Sequence, residues 1–326
     1  MLQQTQVKTV IPYWVRWIKA LPTLQSLAAA PIERLYKLWE GLGYYRRVRN
    51  LQTSARIIVA QHGGKFPEPF EQVLALPGIG RYTAGAICSI AFDQPNAILD
   101  GNVIRVLSRV FGIRGNPAHS QTRRKLWDLA QDLVNHANQL RSKTKDGSCA
   151  RLNQALMELG ALVCTPRNPL CELCTLRPHC RAFQQKRVDK IPNQSRRVAP
   201  INKTSISLVL ENDLRFLVRQ RSHGTVNGNL WEFPRKETTV RAPSIELLFA
   251  DEAGIPFRDL VPLCQFKHSI TRYRISAKAF RAKVTEKCRA HGRWLPLKEI
   301  FRLPLTSADS KILHALRHSL KSEDER

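Results

Sequence analysis

The sequence predicts a mainly α-helical first domain followed by a smaller α+β domain. Apolar residues recur with helical spacing up to about residue 163, and four cysteines then crowd into residues 164–180. After a polar, basic stretch that contains prolines, the spacing changes to the alternation that is typical of strands. We therefore place the first domain at residues 1–185, a linker at 186–203 and the second domain at 204–326.

The chain is strongly basic, which indicates the class of its partner. It carries 52 Lys and Arg residues against 26 Asp and Glu residues, a formal net charge of +26 over 326 residues. Such a charge favours a polyanion, nucleic acid first, over a merely solvated surface or a ribosome-associated protein. No apolar run reaches the ~18–20 residues of a membrane span, and no signal peptide opens the chain. We expect a cytoplasmic protein that does not contact a membrane.

A tight hairpin is predicted at residues 76–80, Leu-Pro-Gly-Ile-Gly, before a helix that begins near Arg81. Gly78 and Gly80 let the backbone approach another surface closely, and the N–H groups of the following helix start form a ready anion site. Two glycines are also what an ordinary turn contains, so the pattern alone leaves both interpretations open.

A single carboxylate, Asp100, stands just before the apolar-periodic run Val103, Val106 and Leu107. This is the position of a helix N-cap, where backbone N–H groups favour the ionised form of a carboxylate. Capping alone and a role in chemistry are both compatible with that position.

The first 20 residues already follow a helical pattern. No capping residue precedes Met1, so we expect a helix that starts on the first residue and a chain whose beginning is missing. The apolar positions that define this helix are Val7, Val10, Ile11, Trp14 and Ile18.

Two helical stretches in residues 32–62 are joined by Gly-Leu-Gly-Tyr-Tyr at residues 41–45. The arginines Arg46, Arg47 and Arg49 follow directly. An aromatic pair flanked by arginines suits a wedge between bases with phosphate clamps around it. The alternative is a buried corner between helices, with a tyrosine in the core.

The spacing Cys-x6-Cys-x2-Cys-x5-Cys is the most specific pattern in the chain; its members are Cys164, Cys171, Cys174 and Cys180. Four thiolates can hold one zinc ion or one cubane cluster. Zinc sites usually contain two Cys-x2-Cys pairs, so a single pair favours a [4Fe–4S] cluster over zinc, and a disulfide is a weaker alternative.

Three further segments give structural expectations. The polar stretch from Gln139 to Cys149 predicts a surface loop. In the second domain, alternating apolar residues around Leu208 predict a strand, and a last helix is expected over 308–320 with a frayed tail at 321–326.

Several motifs occur together and in order: MLQQTQV, GLGYYRRVRN, LPGIGRYTAGAI, ILDGNV, LNQALMELGALVC and the four-cysteine spacing. Over nearly its whole length the chain closely resembles the MutY class of adenine DNA glycosylases. The resemblance implies a helix-hairpin-helix glycosylase domain with an iron–sulfur loop and a MutT/Nudix-like recognition domain. It also implies excision of adenine opposite 8-oxoguanine or guanine in double-stranded DNA, by a monomer associated with a bacterial nucleoid.

The resemblance assigns roles to individual residues. Asp100 matches the family's catalytic aspartate. Tyr82 stands where endonuclease III relatives carry a Schiff-base lysine, which implies a monofunctional enzyme. The residues matched to positions that contact lesion or duplex are Gln4, Thr5, Leu42, Tyr44, Gly78 and Gly80. Gln154 matches a residue near the adenine pocket, and Glu158 lies one helical turn further along the same face. Ordinary packing or a solvated polar face is the alternative for each of these matched positions.

Residues 266–273 of the second domain resemble the family's recognition hairpin, which assigns lesion contacts to His268, Thr271 and Arg272. Many members carry Phe-Ser-His where this chain has Ile-Thr-Arg at 270–272. Thr271 keeps a hydroxyl, whereas Arg272 adds a permanent charge.

The family's general acid is a glutamate two residues before the methionine that matches Met1. We therefore expect the 326-residue polypeptide to bind the mispair and to release little or no adenine. The alternative function is a catalytically silent protein that recognises lesion-containing DNA. A third, an endonuclease III-type lyase, is disfavoured by Tyr82.

Overall fold

The computed structural model describes residues 1–144, 148–193, 199–222, 224–238, 244–245, 248–249, 257–270, 273–284 and 291–324. The chain forms two compact units. One unit is Ile57–Arg197, and the other combines Met1–Arg56 with Val198–Arg326.

Helices make up the chain before the sheet: α1 (Val7–Ala20), α2 (Leu24–Ala29), α3 (Ile32–Trp39), α4 (Arg46–Gln61), α5 (Phe70–Leu74), α6 (Arg81–Phe92), α7 (Gly101–Val110), α8 (Ser120–Thr144), α9 (Ser148–Glu158) and α10 (Arg181–Gln184). A π-helical turn (Leu159–Val163) follows α9, and 3-10 turns lie at Cys171–Leu173 and Arg177–His179. No described helix combines the length and the apolar character that a membrane crossing requires.

The strands are β1 (Ile201–Asn212), β2 (Arg215–Gln220), β3 (Trp231–Glu232), β4 (Arg235–Thr238), β5 (Phe257–Ile270), β6 (Tyr273–Val284) and β7 (Arg293–Pro296). They are followed by α11 (Leu297–Ile300) and α12 (Ser307–Asp324).

In the unit Ile57–Arg197, helix α7 lies at the centre of the core. Its residues Val103, Val106 and Leu107 are fully buried in one cluster with Leu126 of α8 and Leu156 of α9. Burying a side chain of this size contributes about 1.5–3 kcal/mol. The packing therefore fixes the N-terminal end of α7, which carries Asp100, against its neighbours.

In the other unit, the sheet is mixed. Its strand order is β3-β2-β1-β6-β5, with β4 added to β1 and β7 added to β2, and only the β1–β6 pair among the described pairs is parallel. Residues 205–211 of β1 are buried without interruption. The predicted alternation thus belongs to a central strand that is covered on both faces, with Val209 in one buried cluster and Leu208 in another.

The first helix differs from its prediction. It begins at Val7, after an extended Gln6, and residues 1–5 form a turn in which the Thr5 N–H donates to the Leu2 carbonyl at 3.3 Å. Its buried residues are Val10 and Trp17, and Trp17 packs edge-on against Trp39 at 5.5 Å between ring centroids. Most of the predicted apolar face is exposed: Val7, Ile11, Trp14 and Ile18.

Three predicted boundaries also shift. Helix α8 continues to Thr144 and α9 begins at Ser148, so most of the predicted loop 139–149 is helical, and residues 145–147 lie outside the described residues. The stretch is polar, but Gln139, Leu140, Arg141 and Lys143 are good helix formers, so the helix continues through them. Strand β1 begins at Ile201, inside the predicted linker, and α12 runs through residues 321–324, which the sequence predicts to be frayed.

Candidate active site

The predicted hairpin lies between α5 and α6. Gly78 has φ +81°, a conformation that glycine adopts easily, and the Ile79 N–H closes the turn onto the Leu76 carbonyl at 3.1 Å. Gly80 is the N-cap of α6, which has no side-chain cap. The helix therefore presents its positive end beside an open backbone, as an anion site requires.

Asp100 is the N-cap of α7, as the sequence predicts. Its Oδ1 accepts hydrogen bonds from the backbone N–H groups of Asn102 at 2.9 Å and Val103 at 2.7 Å, and its Oδ2 accepts one from Asn102 Nδ2 at 3.2 Å. An ionised carboxylate only accepts hydrogen bonds, so these donors and the positive end of the helix stabilise its charge.

Tyr82 of α6 lies close to Asp100. Its hydroxyl donates to Met157 Sδ of α9 at 3.7 Å. Burial raises the pKa of Tyr82, and the negative charge of Asp100 raises it further, so the phenol is neutral at physiological pH. Three helices thus bring a carboxylate, a neutral phenol and a thioether together.

The two residues assigned to the adenine pocket lie on α9, on either side of Met157 in the sequence. Gln154 is exposed, and its Nε2 donates to the Ala150 carbonyl of its own helix at 3.2 Å. Glu158 is exposed at the last position of α9. Helix α9 therefore contacts Tyr82 through Met157, which lies between Gln154 and Glu158 in the sequence.

The four predicted cysteine ligands line one pocket together with Arg109 of α7. Arg109 Nη1 donates to Cys164 Sγ at 3.3 Å and to the Thr165 carbonyl at 2.8 Å. Burial raises the pKa of Cys171, and the other three thiols raise it further while Arg109 opposes them. In the described part of the chain, no three His, Cys, Asp or Glu side chains converge closely enough to hold a single metal ion.

Arg105 of α7 connects this loop with Asp100. It is buried, its Nε donates to the Cys164 carbonyl at 2.7 Å, and its Nη2 donates to Asn102 Oδ1 at 2.8 Å. The π-helical turn packs closely there, since a Cβ on Gly160 would lie 2.6 Å from Asn102 Cβ. Burial lowers the pKa of Arg105, and the negative groups at Cys164 and Asp100 oppose that shift.

Comparisons with known proteins identify the family. The model for HhH-GPD superfamily base excision DNA repair proteins matches residues 1–132, and the NUDIX domain model matches residues 206–315. The adenine DNA glycosylase of Buchnera aphidicola subsp. Schizaphis graminum (strain Sg) is 32% identical over 322 residues, which are 97% of this chain and 89% of that protein. The chain belongs to the adenine DNA glycosylase family.

The rodent relatives are more similar over a shorter stretch, whereas the human relative is matched over nearly the whole chain. The Rattus norvegicus adenine DNA glycosylase is 52% identical over 196 residues, 59% of this chain, and the Homo sapiens enzyme is 34% identical over 368 residues, 96% of this chain and 66% of that protein. The chain spans about a third of the rat and mouse relatives, 36% and 34% of their lengths. The predicted MutY-type resemblance and the two-part fold are confirmed.

The residues matched to the family's duplex contacts differ in exposure. Gln4 is exposed and Thr5 is half-buried. Tyr44 is 51% exposed, whereas Leu42 is only 6% exposed and packs in the core with Tyr45. The wedge interpretation therefore fits Tyr44, and the buried-corner alternative describes Leu42 and Tyr45.

The segment that resembles the family's recognition hairpin joins β5 to β6, with Ile270 paired to Tyr273. Thr271 and Arg272 lie outside the described residues. His268 is half-buried, its ring centroid is 5.9 Å from that of Phe266, and its pKa is lowered by burial and then by the positive charges of Arg235 and Lys311. It is therefore a neutral ring at physiological pH.

Sequence reasoning missed Met157, Asn102 and Arg105. Asn102 and Arg105 follow Asp100 on α7 at spacings that allow contact along one helix, a signal that was available in the sequence. Met157 contacts Tyr82 because α9 packs on α6, and the sequence alone does not predict that packing.

Proposed function

We propose that this chain removes adenine paired with 8-oxoguanine or guanine in duplex DNA by hydrolysing the N-glycosidic bond, without cutting the strand. The observation that carries the proposal is the Asp100 carboxylate, held by three hydrogen-bond donors with Tyr82 beside it. In the same proposal, residues 1–185 act as the glycosylase domain and 204–326 as the recognition domain of a monomer that works on nucleoid DNA.

The chemistry follows from the charge of Asp100. Departure of adenine leaves a sugar with oxocarbenium character, and a fixed anion below it stabilises that positive charge. The donors on Asp100 hold its oxygens in one orientation, so little reorganisation is needed during the reaction. Tyr82 has no amine and forms no Schiff base, which accounts for hydrolysis without strand cleavage.

A catalytically silent protein that only recognises the lesion is the second candidate function. The two functions are separated by measuring adenine release and binding on the same duplex with one adenine:8-oxoguanine pair. Release from that duplex, and none from a matched adenine:thymine duplex, supports the enzyme. Tight binding without release, in a polypeptide that also carries the upstream glutamate, supports the silent protein.

Duplex binding is expected to depend on the hairpin. The side-chain position of Gly80 is open, with nothing within 4 Å, and its φ is −98°, so Gly80→Asp fits the fold while adding a negative charge at the proposed phosphate contact. We expect weaker binding to every duplex and a slope of log K against log salt that is smaller by about 1. Gly80→Ala is the matched control, and equal affinity for the Asp variant would contradict the anion site.

Selectivity for 8-oxoguanine is proposed to come from the β5–β6 hairpin. Replacing both Thr271 and Arg272 with alanine should reduce the preference for 8-oxoguanine over guanine opposite adenine by about tenfold, because hydrogen bonds to the lesion edge are lost. Lys298→Ala, which removes an exposed charge from α11, is the control. An equal loss of affinity for both duplexes would mean that the hairpin contributes to affinity alone.

The four cysteines are proposed to hold a [4Fe–4S] cluster. The donor set fits: four thiols line one pocket beside Arg109, and their spacing contains a single Cys-x2-Cys pair, whereas zinc sites usually contain two. When bound, the cluster would supply four iron–thiolate bonds that close residues 164–180 into one loop.

Cys174→Ser should therefore remove the brown colour and the iron from the purified protein and lower its thermal stability. Cys264→Ser, which changes a half-buried cysteine of β5, should leave the iron content unchanged. A colourless wild-type protein with one zinc ion per chain would contradict the cluster.

A further inference from the structure

One arginine connects two segments that are distant in sequence. Arg47 Nη1 donates to the Met1 carbonyl at 2.7 Å and also to the Gln3 carbonyl, while Nη2 donates to the carbonyls of Leu42 and Gly43, each at 3.1 Å. The two amino groups of one guanidinium thus bind residues 1–3 on one side and residues 42–43 on the other.

Each of these segments is followed directly by a residue in a strained backbone conformation. Gln4 has φ +60° and Tyr44 has φ +50°, the left-handed region that residues other than glycine rarely adopt. Such conformations persist where the surrounding structure holds them, and they cluster at functional sites. Gln4 and Tyr44 are both exposed, and the resemblance matches both to duplex contacts.

The contacts of Arg47 exclude a direct role in binding phosphate. A guanidinium has five N–H donors, and four hydrogen bonds already run to main-chain carbonyls. The fifth donor, Nε, is shielded from solvent and has no partner within the described residues. The guanidinium also lies over the Tyr44 ring, 5.4 Å from its centroid. Its neighbour Arg46 is exposed and remains available to a phosphate.

We propose that Arg47 is a positioning residue that fixes residues 1–5 and 41–44 as a single duplex-reading surface, so that Gln4 and Tyr44 meet the mispair together. The inference rests on the proposed function, because it assigns a common task to residues that the family match places at the lesion. Lysine cannot replace Arg47, since one ammonium has three donors and no planar fork that spans four carbonyls.

The first test needs no DNA. Hydrogen exchange is measured at two amides, the Thr5 N–H bonded to Leu2 and the Leu42 N–H bonded to Trp39, in the full chain and in Arg47→Lys, Arg47→Ala and Arg46→Ala. Both Arg47 variants should exchange about tenfold faster at both amides, while Arg46→Ala should match the wild type. Unchanged exchange at either amide in Arg47→Ala would overturn the proposal.

The second test measures affinity for a duplex with an adenine:8-oxoguanine pair and for a matched adenine:thymine duplex over a range of salt concentrations. If the reading arrangement falls to about a tenth of the population, Arg47→Lys lowers the ratio of the two affinities by about tenfold and leaves the salt slope unchanged. Arg46→Ala should weaken both affinities alike and reduce the slope by about 1.

The outcomes separate the inference from the function on which it rests. A wild-type chain that binds both duplexes equally contradicts lesion recognition, and the exchange measurement still decides whether Arg47 holds the two segments. An Arg47→Lys variant that loses salt slope, as Arg46→Ala does, shows a phosphate contact and overturns the positioning role.

Discussion

Asp100→Asn should reduce the single-turnover rate of adenine release by a factor of about 10²–10³ or more, because it removes the anion that stabilises the sugar cation. The measurement uses a polypeptide that carries a glutamate two residues upstream of Met1. Asparagine is as good an N-cap as aspartate, and its Oδ1 can still accept from the N–H groups of Asn102 and Val103. The fold of α7 and the affinity for the mispair should therefore change little.

The Asp100→Asn variant separates helix capping from catalysis, because it keeps the Oδ1 that caps α7 and removes the negative charge. Asp128→Asn removes a carboxylate from an exposed position of α8 and is expected to keep the wild-type rate. Thermal unfolding of both variants shows whether α7 is intact. A wild-type rate for Asp100→Asn would mean that the residue only caps the helix, and the proposed function would lose the observation that carries it.

The sequence was sufficient where local rules determine the structure. The N-cap at Asp100 and the helix start at Arg81 follow from residue types over a few positions, and both are confirmed. A helix with an apolar stripe and a cap has few alternatives, so its ends can be predicted before any packing is known.

The sequence was insufficient where tertiary packing decides which of two apolar faces of a helix is buried. The pattern of α1 has apolar residues on more than one side, and the structure buries Val10 and Trp17 while Ile11 and Trp14 stay exposed. In the same way, the spacing of residues 41–45 cannot decide which aromatic residue points inward. The core takes Tyr45 and leaves Tyr44 to solvent, since Tyr36 packs edge-on against Tyr45 at 5.9 Å.

In the candidate active site, too, the sequence predicts some features and helix packing decides others. Tyr82 could be identified from its position after the hairpin, but its contact with Met157 depends on how α9 packs on α6. Arg105 is a charged residue in a buried position, and the sequence shows only that it is basic. Its partners, the Cys164 carbonyl and Asn102, explain why a cation is tolerated there, because they satisfy donors that burial would otherwise leave unpaired.

A glutamate placed two residues before Met1, where the family carries its general acid, is expected to raise the rate of adenine release from the adenine:8-oxoguanine duplex by about 10²–10⁴-fold over that of the 326-residue polypeptide. Departure of a purine needs a proton, and the groups near Asp100 supply it poorly. The pKa of Tyr82 is raised by burial and by the Asp100 charge, so this phenol holds its proton more tightly than an ordinary tyrosine. On α9, Glu158 carries a carboxyl group one residue after Met157, and it is exposed.

The comparison is made by single-turnover kinetics with both polypeptides and with Glu158→Gln in each. The extended polypeptide should yield an intact strand with an abasic site, and borohydride should trap no covalent adduct because Tyr82 has no amine. Glu158→Gln should leave its rate unchanged. Fast release by the 326-residue polypeptide would refute the need for an upstream acid. If Glu158→Gln then abolished that release, Glu158 would be the proton donor.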